Sequence, residues 1–353
     1  MNIDLVATAI ALLTVFGIAS IIALSLNLEY GLGGIPNFGQ ALFVAIGAYT
    51  AGVTYTRLLP LLAGQAALDP CGATNMAPAL ALRTGILKTM PAVALGNFAL
   101  TLVIAGVIGG LIGLVASYPA LRLKEEWFLG LVLLVGSESV RIFVRGYEPI
   151  ICAHNGLSGL SQPFAWLPTA QIRSLAFLGL VLVAAGLCYW YSERLARSPY
   201  GRLLKALREN NAVASGLGKE MSRVRGQVMV IGSAMAAIAG VFFVVNVGFA
   251  SANDYGVALT LDIWVMIVLG GLGNMRGALL GALIVTLLDR FTSIAAIQLN
   301  MLHIDIEFNY VRYILFGVIL LVMLRYRPQG LWREPVETTG VGAGEPMRAE
   351  PRV

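Results

Sequence analysis

The chain has 353 residues, 58% of them hydrophobic and only 12% charged, with a formal net charge of +5. Soluble domains carry about 25% charged residues, so this composition excludes an ordinary water-soluble fold and favours an all-α, polytopic integral membrane helix bundle. The positive charge does not indicate nucleic acid, because the basic residues gather in a few loops, where they report membrane orientation.

A hydrocarbon core about 30 Å thick needs roughly 20 mostly apolar residues per helix, and about nine such stretches (eight to ten) are expected here. The first, 5–28, holds no charge and lacks both a basic leading region and a small-residue cleavage pattern. It reads as a retained span and not as a removed signal peptide. Glycines follow at Gly31, Gly33, Gly34 and Gly39, where the apolar run is interrupted, and the second span is expected at 38–56. Further spans are expected at 91–118, 127–145, 172–191, 226–249, 257–275, 278–292 and 310–324. A second glycine-rich interruption, Gly270, Gly271 and Gly273, precedes a small-residue helix as the first one does. Transporters use helices broken at corresponding places of two halves to expose backbone groups to a solute pathway. The small residues at Gly106, Gly109, Gly110 and Gly113 read instead as close helix packing.

Between residues 192 and 225 stand Arg194, Arg197, Arg202, Lys205, Arg208, Lys219, Arg223 and Arg225 against Glu193, Glu209 and Glu220. This loop is therefore assigned to the cytoplasm, and propagation places Arg276 and the tail bearing Arg325, Arg327 and Arg333 on the same side. Segments 57–90, 146–171, 250–256 and 297–309 then lie outside, with the amino terminus. Residues 1–333 form one membrane domain, and the Gly-, Pro- and Glu-rich stretch 334–353 is expected to be a disordered cytoplasmic tail. Cys71 and Cys152 both fall in outer loops, where a disulfide between them and two unrelated thiols are equally open readings; Cys188 sits in a span and reads as packing.

Intramembrane charge needs a reason, because an ionisable residue at mid-bilayer costs about 2.5–3.5 kcal/mol on insertion scales. Glu138 and Arg141 are three residues apart, on one helix face, and read either as an internal ion pair or as solute contacts. Asp262 lines the pathway or sits at its outer mouth. Asn27, Asn37, Gln40 and Asn246 offer hydrogen bonds near span ends or breaks, and Asp289 and Arg290 read as structural. Chemistry of other kinds has little support. The chain has only His154 and His303, no His-Glu-x-x-His, Cys-x-x-Cys or Gly-x-Ser-x-Gly pattern, and its Gly218-Lys219-Glu220 lacks the spacing and hydroxyl of a phosphate-binding loop.

Residues 199–218 read as an amphipathic helix stopped by Gly216 and Gly218: Leu203, Leu204 and Leu207 on one face, Arg202, Lys205, Arg208 and Glu209 on the other. Such a helix suits a partner's groove or the lipid headgroups equally well. Gly201, Arg202, Leu203, Leu207, Arg208, Glu209, Ala212, Leu217 and Gly218, with the basic exit Arg223 and Arg225, resemble the coupling loop by which permeases of ATP-binding-cassette importers dock onto their ATPases. The resemblance is to the branched-chain amino-acid (LivM/LivH) permeases in particular. Asn210 and Asn211 stand where that family usually has acids. Four other stretches carry the same resemblance in the same order: 26–49, 118–157, 268–282 and 327–331.

The resemblance implies a permease subunit that performs no covalent chemistry and binds no cofactor of its own. ATP and magnesium would sit on two cytoplasmic ATP-binding subunits. A homologous permease subunit and an extracytoplasmic solute-binding protein would complete the assembly, in the cell membrane of a prokaryote. Branched-chain amino acids (leucine, isoleucine, valine) are the implied cargo, with urea, short amides or other amino acids as alternatives. The rival class is a stand-alone, ion-coupled secondary transporter or channel using Glu138, Asp262 and Asp289.

Overall fold

The computed structural model describes residues 5–72, 74–122, 126–209, 220–300, 308–327 and 329–334. Helix α1 (Leu5–Leu26) runs on through a π-helical stretch, Asn27–Leu32, before the chain turns at 33–39. Helix α2 (Gln40–Val53) is prolonged by a second π-helical stretch, Thr54–Leu58, and by the short α3 (Leu59–Leu62). There follow α4 (Met76–Thr89), α5 (Pro91–Arg122), α6 (Glu126–Gly146), α7 (Glu148–Ile151), α8 (Ala170–Ala196), α9 (Pro199–Glu209), α10 (Met221–Val247), α11 (Val257–Gly270), α12 (Met275–Asn300) and α13 (Phe308–Tyr326). Each expected span overlaps one of these helices. Among the described residues, five segments are long and apolar enough to cross a bilayer by themselves: Leu5–Leu32, Gln40–Leu62, Pro91–Tyr118, Ala170–Ala196 and Ser222–Val247.

Helix α10 is the core of the bundle, and its glycines and alanines explain how it can be. It packs most extensively against α5 and α2. A Cβ on Gly47 would lie 1.8 Å from the Ala237 carbonyl oxygen, and one on Gly240 would lie 1.9 Å from that of Val44. Helices α2 and α10 thus touch backbone to backbone through reciprocal glycines, as lipid-embedded helices do where no water-driven force brings them together. On the α5 side, Gly109 and Gly113 are closed off by Ser233 and Met229 in the same way, so the close-packing reading of that glycine run matches the geometry. The outward faces of α5, α6 and α8 expose Leu111, Val115, Val135, Val183 and Leu187, the apolar surface that lipid tails require.

The segment read as a long outer loop, 57–90, is largely helical. Helix α4 packs on α5, and its buried Arg83 donates through Nη2 to the Ser158 carbonyl oxygen at 3.0 Å. Desolvation holds that guanidinium below the ordinary arginine range. Strand β1 (Leu157–Ser158) pairs antiparallel with β2 (Phe249–Ala250), Leu157 opposite Ala250 and Ser158 opposite Phe249. Cys71 and Cys152 are joined by a disulfide across 81 residues of sequence, with Cα atoms 5.0 Å apart. Together these elements make a cap at one end of the bundle. Helix α9 lies at the other, because α8 leads from the cap to α9 over 27 residues, about 40 Å at the helical rise.

Candidate functional site

The span expected at 257–275 is not one continuous helix. Helix α11 ends at Gly270, and the chain turns through Gly271 (φ +120°) and Gly273 (φ +76°), backbone angles that only glycine adopts at low cost. Asn27 Nδ2 donates to the Asn274 carbonyl oxygen at 3.1 Å, and the Gly273 amide donates to Asn27 Oδ1 at 3.0 Å. A Cβ on Gly31 would lie 2.6 Å from the Gly273 nitrogen. The two glycine-rich breaks, 242 residues apart in sequence, are therefore seated directly on each other.

Next to this junction lies a wholly buried polar network. Asn37 Nδ2 donates to Glu29 Oε2 at 2.7 Å and to Gln40 Oε1 at 2.8 Å. Gln40 Nε2 donates to Ser25 Oγ at 2.6 Å, whose hydroxyl donates to the Gly232 carbonyl oxygen at 2.7 Å. Glu29, Asn27, Asn37 and Gln40 are each 0% exposed. A Cβ on Gly232 would come 2.3 Å from Glu29 Oε1, so α10 supplies the glycine that admits the carboxyl. Gly232 is the twelfth residue of α10, about 17 Å along it, which puts Glu29 deep in the bundle. Among the described residues no lysine, arginine or histidine makes an ion pair with it.

Glu29 is the buried carboxyl at the centre of this network that the sequence alone does not single out. In sequence the first apolar run ends at residue 28, where a charge follows, whereas the helix continues past it as a π-helical stretch, a distortion frequent at functional sites.

Beside the network opens a cleft of about 1330 Å³, lined by Tyr30, Phe38, Leu261, Asp262, Trp264 and Val268 among others, with Arg208 and Glu334 at one end. Trp264 stacks on Phe38 with ring centroids 4.5 Å apart and lies against Tyr30 at 4.6 Å. Its indole Nε1 donates to the Asn37 carbonyl oxygen at 3.3 Å, which ties the aromatic wall to the buried network. Asp262 lines this cleft, and Asn27, Asn37 and Gln40 stand behind its wall, bonded inward. Glu138 and Arg141 form a half-buried ion pair at 2.6 Å near the cap, against the turn at Gly256.

Helix α9 seats Gly201, Leu204 and Leu207 in the protein and leaves Arg202 and Glu209 exposed, with Leu203, Lys205 and Arg208 half-buried. Tyr200 Oη donates to the Val224 carbonyl oxygen at 3.2 Å, and burial pushes its phenol up to about 12, so the donor stays protonated. Arg208 lies over both breaks: Nη1 donates to the Gly31 carbonyl oxygen, and Nη2 donates to Glu334 Oε2 at 2.7 Å. Gly34 (φ +67°) admits the α9 backbone, since a Cβ there would be 3.2 Å from the Arg208 Cα. Glu334, expected to open the disordered tail, is thus held in place. Ala212, Leu217 and Gly218, and the tail beyond Glu334, lie outside the described residues.

Comparison with known proteins agrees in its extent with the bundle. Residues 8–324 match the model of the family described as "Branched-chain amino acid transport system / permease component". The chain is 35% identical over 339 residues to a probable branched-chain amino acid transport permease protein LivM of Methanocaldococcus jannaschii, covering 94% of each. It is 26% identical to the high-affinity branched-chain amino acid transport system permease protein LivM of Escherichia coli K12, covering 88% of this chain and 67% of that one. It is also 26% identical to the corresponding LivH of the same organism, covering 90% and 91%. No solved structure matches the chain.

Proposed function

The chain belongs to the branched-chain amino acid transport permease family and is a multi-pass membrane protein; from that premise we propose that it carries leucine, isoleucine or valine across the cell membrane as the permease subunit of an ATP-binding-cassette importer. In this reading the chain pairs with a homologous permease subunit, one of two cytoplasmic ATPases docks on α9 and the other on that second permease, and an extracytoplasmic binding protein delivers solute to the cap. ATP and magnesium act on the ATPases, and this chain contributes no covalent step. Asp262 suits the ammonium of an amino acid, and the apolar wall around it, Leu261 and Val268, suits an aliphatic side chain.

The observation that carries the proposal is the seating of α9. It keeps a polar face with Arg202 and Glu209 exposed, while Arg208 reaches from the same short helix onto the two breaks beside the cleft. A partner that moves α9 therefore moves the intramembrane breaks, which a secondary transporter has no use for. The proposed orientation is supported by the meeting of α9, Arg276 and the 329–334 segment at one end, where their clustered basic residues favour the cytoplasmic side.

Co-expression with the co-encoded ATPase, binding-protein and second permease subunits, followed by leucine uptake into proteoliposomes, tests the reading. Wild type should take up leucine only with ATP, and Glu209→Lys should lose most of it, because reversing an exposed charge at an interface costs complementarity. Uptake driven by an ion gradient with no ATPase present would make the chain a secondary transporter instead.

A further inference from the structure

The last described residues, 329–334, do not leave the bundle after α13. They are stitched along the second break as a strap: the Leu331 amide donates to the Leu269 carbonyl oxygen at 3.0 Å, and the Trp332 amide to that of Gly270 at 2.9 Å. Asn274 Nδ2 donates to the Arg333 carbonyl oxygen at 2.8 Å. Gly330 (φ +80°) and Gly271 (φ +120°) permit the approach, for a Cβ on Gly271 would sit 2.1 Å from the Trp332 carbonyl oxygen. The strap ends by presenting Glu334 to α9, with Oε2 2.7 Å from Arg208 Nη2 and Oε1 3.2 Å from Lys205 Nζ.

One guanidinium thus serves three segments. Its Nη1 bonds the Gly31 carbonyl of the first break, a Cβ on Gly273 of the second break would lie 2.9 Å from the same nitrogen, and Nη2 bonds the strap. A planar fork held at both ends keeps one orientation, which a single contact would not impose. All the side chains involved are half-buried, so the charges are less screened than surface pairs.

We infer that Glu334 is a positioning residue for transport: carried in by the strap, it locks Arg208 across both helix breaks, so that displacement of α9 is transmitted to the floor of the cleft. The inference rests on the reading of α9 as the ATPase docking helix and adds to it the route by which the movement is passed on. Without Glu334, α9 keeps its buried leucines and its docking face, but Arg208 swings free of the breaks. ATP hydrolysis then continues while solute movement lags behind it.

The experiment uses the complete importer in proteoliposomes and reads ATP hydrolysis and leucine uptake in the same vesicles. Glu334→Gln should retain its ATPase subunits on purification, yet its leucine taken up per ATP hydrolysed should fall by about 5-fold or more. Glu334→Asp should recover at least part of that ratio, and Arg208→Lys, which keeps the charge but loses the fork, should fall as Glu334→Gln does. Glu193→Gln, which removes the Glu193–Arg197 pair at the same end of the bundle but takes no part in the Arg208–Glu334 pair, should stay within about 2-fold. A Glu334→Gln ratio equal to wild type, or loss of the ATPase subunits from that variant alone, would overturn the latch. Failure of the wild-type chain to hold ATPase subunits at all would overturn the docking reading itself, and the latch with it.

Discussion

Glu29 shows what one buried group asks of its neighbours. Its oxygens accept from Asn37 and, at 3.5 Å, from Ser233, and Gly232 is small so that the carboxyl has room. Glu29→Gln keeps the shape and one accepting oxygen, whereas Glu29→Leu leaves the Ser233 hydroxyl and one Asn37 donor facing hydrocarbon. An orphaned buried polar group costs about 1–3 kcal/mol. Purified Glu29→Leu is therefore expected to melt well below wild type in a detergent thermal-shift assay, and Glu29→Gln close to it. Equal midpoints for Leu and wild type would show that the network contributes nothing to stability. The sequence hid this residue for a physical reason: a charge at the edge of an apolar run ordinarily marks the end of a span, and only a tertiary pocket built by α10 reverses that expectation. Asp262, Glu138 and Arg141 were legible because each interrupts a span from within.

At the scale of elements, glycine decides where helices touch and where they stop. Gly240 faces the Val44 carbonyl oxygen, and backbone does not yield as a flexible side chain does. Gly240→Ala should force α2 and α10 apart at about 1–3 kcal/mol, the range for overpacking a close contact. Gly179→Ala on α8, where the added Cβ would meet no atom of another element among the described residues within 4 Å, should stay within about 1 kcal/mol of wild type, on the stable side by helix propensity. Thermal midpoints of the two variants in the same detergent check the contrast, and a tolerated Gly240→Ala would mean that the helices can separate without loss. Composition and periodicity located the helices, the two breaks and the amphipathic α9, because each is encoded locally. That the breaks meet each other, with Arg208 across both, was not legible. The contact joins residues more than 170 apart in sequence, and nothing in either stretch records its partner.

Over the whole molecule, a cap at one end and the α9–strap assembly at the other bracket the bundle. The cap gathers α4, α7, both strands and the disulfide, whose loop of 81 residues is long. On the chain-entropy account, closing such a loop stabilises a fold by about 4 kcal/mol, a share worth having in a segment that must hold Arg83 beneath the surface. As a rule disulfides form and persist on the oxidising side of a membrane, so this bond is an independent test of the proposal that the opposite, arginine-rich α9 end is cytoplasmic. Cells treated with a membrane-impermeant reductant should therefore yield protein whose non-reducing gel mobility shifts to that of Cys71→Ser, while Cys71→Ser itself is unaffected by reduction. The reduced protein should also melt several degrees lower, since the loop 72–151 is then untethered. If wild type and Cys71→Ser run identically before reduction, the cysteines are unbridged in the cell. If the shift requires a permeant reductant, the cap faces the cytoplasm and the orientation drawn from the arginines is reversed, moving the ATPase docking site with it.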